Sequence, residues 1–246
     1  EFAKIAVIIF LATMISRMPK KMGDFKTVVK VFITLIPILG PVAYTNLSTA
    51  IIIACIAVAL TFVASPKYVQ FIWMGVIGTG FMTVFLMLES YRLERLLIWR
   101  NPEQFAKGYQ TVQGLYAIGS GGLFGRGLGR GIQKLGFVPE AQNDMIFSII
   151  CEELGLAGSA MIVLLFLMLI WRFFLIASEC RDLFGALIAT GAMAHMMIQV
   201  ILNIAVVTNA IPNTGITLPF VSYGGTSIVF LLAEMGLVLN VSTMVR

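Results

Sequence analysis

Charged side chains are scarce in this chain of 246 residues: Asp, Glu, Lys and Arg make up 12% of it, against 59% apolar residues. Soluble globular domains ordinarily carry about a quarter charged residues, so this composition excludes an ordinary water-soluble fold. A membrane crossing takes about 20 residues, and seven crossings would use roughly as many residues as the chain has apolar side chains. The composition therefore predicts an all-α protein, built as a polytopic bundle of about seven transmembrane helices.

Histidine and cysteine are also scarce, with one His and three Cys in the chain. Cys55, Cys151 and Cys180 lie far apart and show no Cys-x-x-Cys spacing, so neither a zinc site nor a disulfide framework is predicted. The formal net charge of +5 reports first on membrane orientation, and we expect no nucleic acid as a partner. The start lacks both an initiator Met and the pattern of a signal peptide, so we expect a fragment of a longer protein. No internal repeat is visible, which predicts one membrane domain over residues 1–246.

The positions of the charges predict where the spans lie, because an ionised side chain inside hydrocarbon costs about 3 kcal/mol. Basic residues between 17 and 30 predict a cytoplasmic location there, and alternation then places residues 89–145 and 209–220 outside. Pro37 and Pro41 predict a kinked or broken second span. The seven predicted spans are residues 2–15, 28–45, 48–64, 69–88, 146–171, 184–208 and 221–243.

Residues 89–145 form a polar segment longer than most connections without a function, and we expect it to be an extracytoplasmic catalytic loop. Its middle places seven glycines within residues 119–131, close to Arg126, Arg130 and Lys134. The amides of such a loop, together with these cations, suit a phosphate or pyrophosphate group. A flexible glycine-rich linker with solvated arginines is the alternative. The glycine spacing matches neither a P-loop nor a dinucleotide-binding motif.

Acidic side chains cluster where this polar segment enters the next apolar run. Asp144 is either the N-cap of the helix that begins there or a functional carboxylate. Glu152 and Glu153 fall two turns inside an apolar helix, where they must face protein or a water-filled cleft, and intramembrane carboxylates are functional candidates. His195 and Glu234 also lie in apolar runs. We interpret both as structural, His195 as a buried hydrogen-bonding group and Glu234 as the partner of a cation or a backbone donor.

Several short motifs occur in a fixed order along the chain, and in combination they are highly specific. They resemble the SEDS family of bacterial membrane proteins, which comprises FtsW, RodA and SpoVE, over essentially the whole chain. The resemblance implies a ten-span fold, of which this chain would hold the last seven spans. The motifs are Glu-Phe-Ala-Lys at 1–4, Gly-Tyr-Gln at 108–110, Ala-Ile-Gly-Ser-Gly-Gly-Leu-Phe-Gly at 117–125, Pro-Glu at 139–140, Asn-Asp-Met-Ile-Phe at 143–147, Glu-Glu-Leu-Gly at 152–155 and Leu-Pro-Phe-Val-Ser-Tyr-Gly-Gly-Thr-Ser at 218–227.

By this resemblance the protein would be a peptidoglycan glycosyltransferase of the bacterial cytoplasmic membrane. Such an enzyme polymerises lipid II onto a nascent glycan chain at the outer face, with inversion and release of undecaprenyl pyrophosphate. Its expected partner is a class B penicillin-binding protein, a transpeptidase, within the division or elongation complex. The resemblance identifies neither the paralogue, whether of division, elongation or sporulation, nor the particular transpeptidase. We expect this chain by itself to be inactive.

The resemblance places the catalytic base on Asp144, whose carboxylate would accept the proton of the acceptor hydroxyl. A helix N-terminus lowers the pKa of a carboxyl group, whereas apolar neighbours or Glu140 one turn earlier would raise it. No cofactor is assigned. A divalent cation, Mg²⁺ or Mn²⁺, is compatible with the family, although the sequence shows no ligand set. The residues expected to bind substrate are Lys4, Arg126, Arg130, Lys134, Glu140, Glu152, Glu153, Ser222 and Tyr223.

Two other functions compete with the enzyme. A lipid II flippase would use the ionisable side chains within the spans to line a hydrophilic path. A non-catalytic scaffold would position the penicillin-binding protein. The chain also departs from the family pattern in places: residues 45–49 lack the usual aspartate and glycine, Asn101 precedes Pro102, and Thr226 replaces a common serine. None of these departures removes the expected base.

Overall fold

The structure, a computed structural model, describes the backbone of residues 1–87 and 90–245 and, within these ranges, the side chains outside 77, 79 and 81–93. The described residues form helices, turns and loops without any strand, which confirms the predicted all-α class. The α-helices in this part of the chain are α1 (Phe2–Ser16), α2 (Phe25–Thr45), α3 (Leu47–Ala64), α4 (Val69–Met87), α5 (Ser90–Arg100), α6 (Tyr109–Gly121), α7 (Ile146–Glu179), α8 (Leu183–Val207) and α9 (Gly225–Thr243).

Among the described helices, α2, α3, α7, α8 and α9 are each long and apolar enough to cross a membrane. The first predicted span corresponds to α1, which is apolar but has 15 residues. The fourth corresponds to α4, and its predicted end at residue 88 lies outside the described residues. Every predicted span thus coincides with a helix, as expected for a multi-pass membrane protein.

The junction between α2 and α3 lies where the sequence predicted it. Asn46 separates the two helices, and its side-chain Oδ1 accepts a hydrogen bond from the Thr49 N–H at 3.1 Å. This bond caps the first turn of α3, which otherwise leaves its amides unpaired. The second span is not broken, because α2 runs as one helix through both Pro37 and Pro41, and the predicted kink stays a prediction.

A break that the sequence analysis did not predict interrupts α7 at Gly155. This residue has φ 68° and ψ −166°, a conformation that glycine adopts without steric cost. A break inside a membrane helix exposes backbone groups that water cannot reach, so they need partners within the protein. Residues 119–134 of the polar segment, called the glycine-rich segment below, provide these partners on both sides of the break. The N–H groups of Arg126 and Gly127 donate to the carbonyls of Glu152 and Glu153 at 3.0 and 2.9 Å. The N–H groups of Leu156 and Ala157 donate to the carbonyls of Gly122 and Leu123 at 2.9 and 3.0 Å.

The contacts divide the chain into two compact units, and the prediction of a single membrane domain stays a prediction. The first unit comprises Glu1–Gly78, Met168–Ile198 and Gly225–Arg246. In it α1 contacts α2, α3 and α9. Gly191 of α8 lies against α1, since a Cβ there would come within 2.5 Å of the Ile8 side chain. Its buried apolar core includes Ile8, Leu11, Ile15, Ile52, Ile53, Ile56 and Leu60.

The second unit comprises Thr79–Leu167 and Gln199–Gly224. It contains the polar segment, the first part of α7, the end of α8 and the loop that follows α8. The start of α7 therefore packs against the end of α8 and the loop, and this core supports the residues just before α7. The buried residues of its core are Val138, Met145, Phe147, Ile149, Cys151, Phe166, Val200, Val207 and Leu218.

Candidate active site

Asp144 lies two residues before α7, at the end of the polar segment. The next residue, Met145, is 1% exposed in the core of the second unit, and Asp144 itself is 8% exposed. Asn203 of α8 is also buried, and its Nδ2 donates to the carbonyls of Asp144 and Ile216 at 2.9 and 2.7 Å. One amide therefore joins the backbone of Asp144 to the loop after α8. Asp144 is held by the core on one side and by hydrogen bonds on the other.

The carboxyl group of Asp144 is harder to ionise than an ordinary aspartate. Burial raises its pKa most, and the negative charge of Glu140 raises it further. Hydrogen bonds from the amides of Asp144 and Met145 and from the side chain of Gln110 act in the opposite direction, but the net shift of the pKa is upward. Burial and the charge of Glu140 therefore outweigh the effects that lower the pKa of Asp144. A carboxylate with a raised pKa is a stronger base, which suits proton abstraction.

A cavity of about 330 Å³ opens beside Asp144 within the second unit. The volume is at the lower end of the range usual for ligand sites. It combines the Asp144 carboxylate with two basic side chains, Arg95 and Lys107, and with the indole of Trp99. No motif in the sequence singles out these three residues. The lining residues are Glu94, Arg95, Ile98, Trp99, Lys107, Gln110, Thr111, Asp144, Asn209, Asn213, Thr214 and Gly215.

Glu152 and Glu153 face the glycine-rich segment rather than solvent, with exposures of 0% and 9%. The Glu152 carboxylate accepts from the amides of Ile132 at 2.9 Å and Gln133 at 3.2 Å. The Glu153 carboxylate accepts from the amides of Gly129 at 3.0 Å and Gly131 at 3.2 Å. The segment thus directs its amides at an anion, as the sequence indicated, but in this structure the anions are these two side chains. The part of Glu152 and Glu153 in substrate binding stays a prediction.

Two of the cations proposed to bind a pyrophosphate, Arg126 and Lys134, lie close to the carboxylates of Glu152 and Glu153. Lys134 Nζ lies 2.6 Å from Glu153 Oε1, and Arg126 lies 3.7 Å from Glu152 Oε1. Arg126, Arg130 and Lys134 remain exposed at the surface of the segment. Lys134 and Glu140 also line a second cavity in this unit, of about 520 Å³. Their predicted contacts with substrate stay predictions.

Ser222 and Tyr223 connect the Pro-Phe-Val-Ser-Tyr motif to the chain just before Asp144. The Ser222 hydroxyl donates to the carbonyl of Asn143 at 2.6 Å and accepts from the Leu218 amide at 2.7 Å. The Tyr223 amide donates to the carbonyl of Gln142 at 2.8 Å. The Tyr223 side chain is 74% exposed. The motif therefore supports the backbone of residues 142–143, and its role in substrate binding stays a prediction.

Lys4 lies in the first unit, where it is 3% exposed. Its Nζ forms an ion pair with Glu1 at 2.7 Å. In the same unit His195 Nδ1 lies 2.9 Å from Glu234 Oε2, and both side chains are buried. This pair agrees with the structural interpretation of His195 and Glu234. Binding of substrate by Lys4 stays a prediction.

Comparison with known proteins agrees with the motifs. The family model described as a cell cycle protein of the FtsW, RodA and SpoVE type matches residues 1–246. The chain belongs to this family. Among its FtsW/RodA/SpoVE relatives, the stage V sporulation protein E of Bacillus subtilis is 40% identical, over 98% of this chain and 67% of the relative. The probable peptidoglycan glycosyltransferase FtsW of Geobacter metallireducens is 36% identical, over 100% of this chain and 67% of the relative.

Solved structures of the family share the fold. A structure described as showing the coordination of polymerization and crosslinking by a peptidoglycan synthase complex matches with a TM-score of 0.79 and 26% identity, over 98% of this chain and 68% of that chain. The rod shape determining protein RodA of Thermus thermophilus matches with a TM-score of 0.61 and 23% identity, over 98% of this chain and 63% of that chain. The chain thus spans about two thirds of the length of the family members that it matches.

Proposed function

We propose that this protein is a peptidoglycan glycosyltransferase that polymerises lipid II and releases undecaprenyl pyrophosphate. Membership of the FtsW/RodA/SpoVE family supports the proposal, since relatives at 36% identity bear the name of probable peptidoglycan glycosyltransferases. The observation that carries it is Asp144. This carboxylate borders a cavity beside two basic side chains, and its pKa is raised by burial.

In the proposed reaction the 4-hydroxyl of an acceptor sugar attacks the anomeric carbon of the lipid-linked donor. The Asp144 carboxylate accepts the hydroxyl proton as the new C–O bond forms. The bond from the anomeric carbon to the pyrophosphate breaks, and its electron pair leaves with undecaprenyl pyrophosphate. A single displacement of this kind inverts the anomeric configuration. A well-placed general base contributes about 10² to 10⁴ in rate.

The leaving pyrophosphate needs positive charge nearby as it departs. Arg95 and Lys107 line the same cavity as Asp144 and are our first candidates. Arg126, Arg130 and Lys134 are the second set, since the cations of the glycine-rich segment lie in the same unit. Members of both sets already pair with carboxylates: Lys107 with Glu94 at 2.9 Å, and Arg126 and Lys134 with Glu152 and Glu153.

A divalent cation, Mg²⁺ or Mn²⁺, is part of the proposal only as a companion of the substrate. Within residues 1–87 and 90–245 no group of three or more His, Cys, Asp or Glu side chains is arranged to hold a metal ion. Mg²⁺ is often held by one or two carboxylates together with phosphate oxygens. Such an ion would therefore take most of its ligands from the pyrophosphate and water.

We also propose a class B penicillin-binding protein as partner, and the cytoplasmic membrane as location, with the site facing outside. The likeness to a peptidoglycan synthase complex supports a partner that cross-links the new strands. The count of spans from the basic cluster at residues 17–30 supports an outward site. On that count Asp144 and the loop after α8 both lie on the outer side.

The test is polymerisation of purified lipid II in detergent by the complete polypeptide that carries this sequence. We expect glycan polymer from the unmodified protein and a loss of at least about 100-fold with Asp144→Asn, because the amide accepts no proton at neutral pH. Asp24→Asn is the matched control, since Asp24 is exposed and its side chain caps no helix amide. Retained polymerisation by Asp144→Asn would remove Asp144 from its role.

The same assay separates polymerisation from transport. Flipping of lipid II needs two leaflets, whereas polymerisation proceeds in detergent. The ionisable groups that a hydrophilic path would use are engaged in the protein, Glu152 and Glu153 with loop amides and His195 with Glu234. Flipping in vesicles without polymer in detergent would favour the transporter, and neither activity would favour a scaffold.

A further inference from the structure

Gln110 contacts both oxygens of the Asp144 carboxylate. Its Nε2 lies 3.3 Å from Asp144 Oδ1 and 3.5 Å from Oδ2, and 3.3 Å from the carbonyl of Pro139. All three partners are acceptors, so they require the NH₂ end of the amide on this side. If the amide were rotated by 180°, its oxygen would meet a carboxylate and a carbonyl. The orientation of Gln110 therefore decides whether Asp144 is supported or repelled.

Asn213 holds Gln110 in that orientation. Its Nδ2 donates to Gln110 Oε1 at 3.2 Å, which keeps the oxygen of Gln110 on the side away from Asp144. The orientation of Asn213 is fixed in turn, because its Oδ1 accepts from the Gly215 N–H at 3.1 Å. A backbone N–H can only donate. The chain of hydrogen bonds from Gly215 through Asn213 and Gln110 to Asp144 thus has a single direction, set by the backbone.

The chain of hydrogen bonds to Asp144 begins at the backbone N–H of Gly215. Gly215 has φ 65°, which glycine adopts readily, and its N–H closes a tight turn with the Asn213 side chain. A Cβ at this position would come within 3.9 Å of Asp144 Oδ2. The turn therefore approaches the carboxylate closely.

We propose that Gln110, oriented by Asn213, is the positioning residue for Asp144 and keeps its carboxylate turned toward the sugar hydroxyl that it deprotonates. The proposal rests on the proposed function, because positioning has a catalytic consequence only if Asp144 is the base. Neither side chain needs to touch the reacting atoms. Their effect passes through the plane and the charge of the Asp144 carboxylate, since misplacing a catalytic group by about 1 Å lowers rate strongly.

The experiment is a double-substitution cycle with Gln110→Leu, Asn213→Leu and both together, assayed as lipid II polymerisation in detergent by the complete polypeptide. We expect kcat to fall about tenfold or more with Gln110→Leu, and somewhat less with Asn213→Leu, while KM stays nearly unchanged. Because Asn213 acts through Gln110, the double variant should lose no more activity than Gln110→Leu alone. If the fold-loss of the double variant equalled the product of the two single losses, Asn213 would not act through Gln110, and the inference would be overturned.

The pH profile distinguishes positioning from a merely structural role. Gln110 donates to the ionised carboxylate, so its removal raises the pKa of Asp144 and moves the acid limb of kcat to higher pH. The other charged groups that act on Asp144 or line its cavity, Glu140, Glu94, Arg95 and Lys107, are the same in all variants. A structural role would instead lower the active fraction equally at every pH. An unmoved acid limb would overturn the inference.

Matched controls complete the design. Gln104→Leu and Asn101→Leu make the same two substitutions at exposed positions of the polar segment at residues 89–145, which also contains Gln110. We expect both controls to retain activity and pH profile. If the unmodified protein makes no polymer, the proposed function fails and this inference fails with it. If it makes polymer and Gln110→Leu matches Gln104→Leu, the inference alone fails.

Discussion

At the scale of single residues, the sequence pointed to Asp144 and its environment decides its chemistry. A carboxylate just before a helix would ordinarily ionise easily, because the helix dipole stabilises negative charge. Here burial and Glu140 raise its pKa instead. Gln110 acts against this rise through its hydrogen bond to the carboxylate, and Asn213 in turn donates to Gln110.

The raised pKa of Asp144 predicts how the polymerisation rate depends on pH. As the proposed base, Asp144 acts in its deprotonated form, so polymerisation should rise with pH through the pKa of Asp144, at a higher pH than for an ordinary aspartate. Glu140→Gln removes a negative charge that raises this pKa. We therefore expect the acid limb of the rate profile to move to lower pH. Initial rates of lipid II polymerisation between about pH 4 and pH 8 measure the shift.

The control for this prediction is Glu103→Gln, which neutralises an exposed carboxylate of the same polar segment. It should leave the acid limb in place. A profile that does not move with Glu140→Gln, or that moves equally with both substitutions, would show that Glu140 has no specific effect on the base.

At the scale of elements, the break in α7 and the glycine-rich segment depend on each other through hydrogen bonds and close backbone contacts. The segment supplies hydrogen-bond partners for the backbone at Gly155, and its amides bind the carboxylates of Glu152 and Glu153. Close backbone approach requires small residues at the contact. A Cβ on Gly125 would lie 2.1 Å from the carbonyl oxygen of Glu153, and one on Gly155 would lie 2.3 Å from the Gly125 amide nitrogen.

Two of the three glycines of α6, Gly119 and Gly121, test this account. A Cβ at Gly121 would lie 1.9 Å from the carbonyl oxygen of Cys151, whereas a Cβ at Gly119 meets nothing within 4 Å. Gly121→Ala should therefore destabilise the protein by about 1 to 3 kcal/mol through overpacking. Gly119→Ala should be neutral or stabilise it by up to about 1 kcal/mol, because alanine favours helix. Thermal unfolding in detergent, followed by size-exclusion chromatography, measures both. Equal melting temperatures would contradict the proposed packing.

At the scale of the whole molecule, hydropathy and charge position set the membrane topology. Every predicted span coincides with a helix, and the ends of α2 and α3 agree with the predicted junction at Asn46. The predicted orientation depends on the basic residues between 17 and 30. By alternation, this orientation predicts a cytoplasmic loop between α7 and α8 and a glycine-rich segment outside.

Cysteine labelling in intact cells checks this orientation. In a protein whose native cysteines are replaced, Phe124→Cys should react with a membrane-impermeant thiol reagent from outside, since Phe124 is 83% exposed. Ser178→Cys, exposed near the end of α7, should react only after the membrane is permeabilised. Labelling of Ser178→Cys in intact cells would reverse the assigned orientation.

The sequence by itself determined the helical class, the positions of the spans and the aspartate, because hydropathy, charge and a specific motif are local properties of the chain. Only the tertiary structure decided the partners of each polar group. Long-range hydrogen bonds join Gln110 to Asp144 and Asn213, and loop amides to Glu152 and Glu153. These bonds link residues that lie from 19 to 103 positions apart. Local sequence carries no signal for such pairs, since folding alone brings their donors and acceptors together.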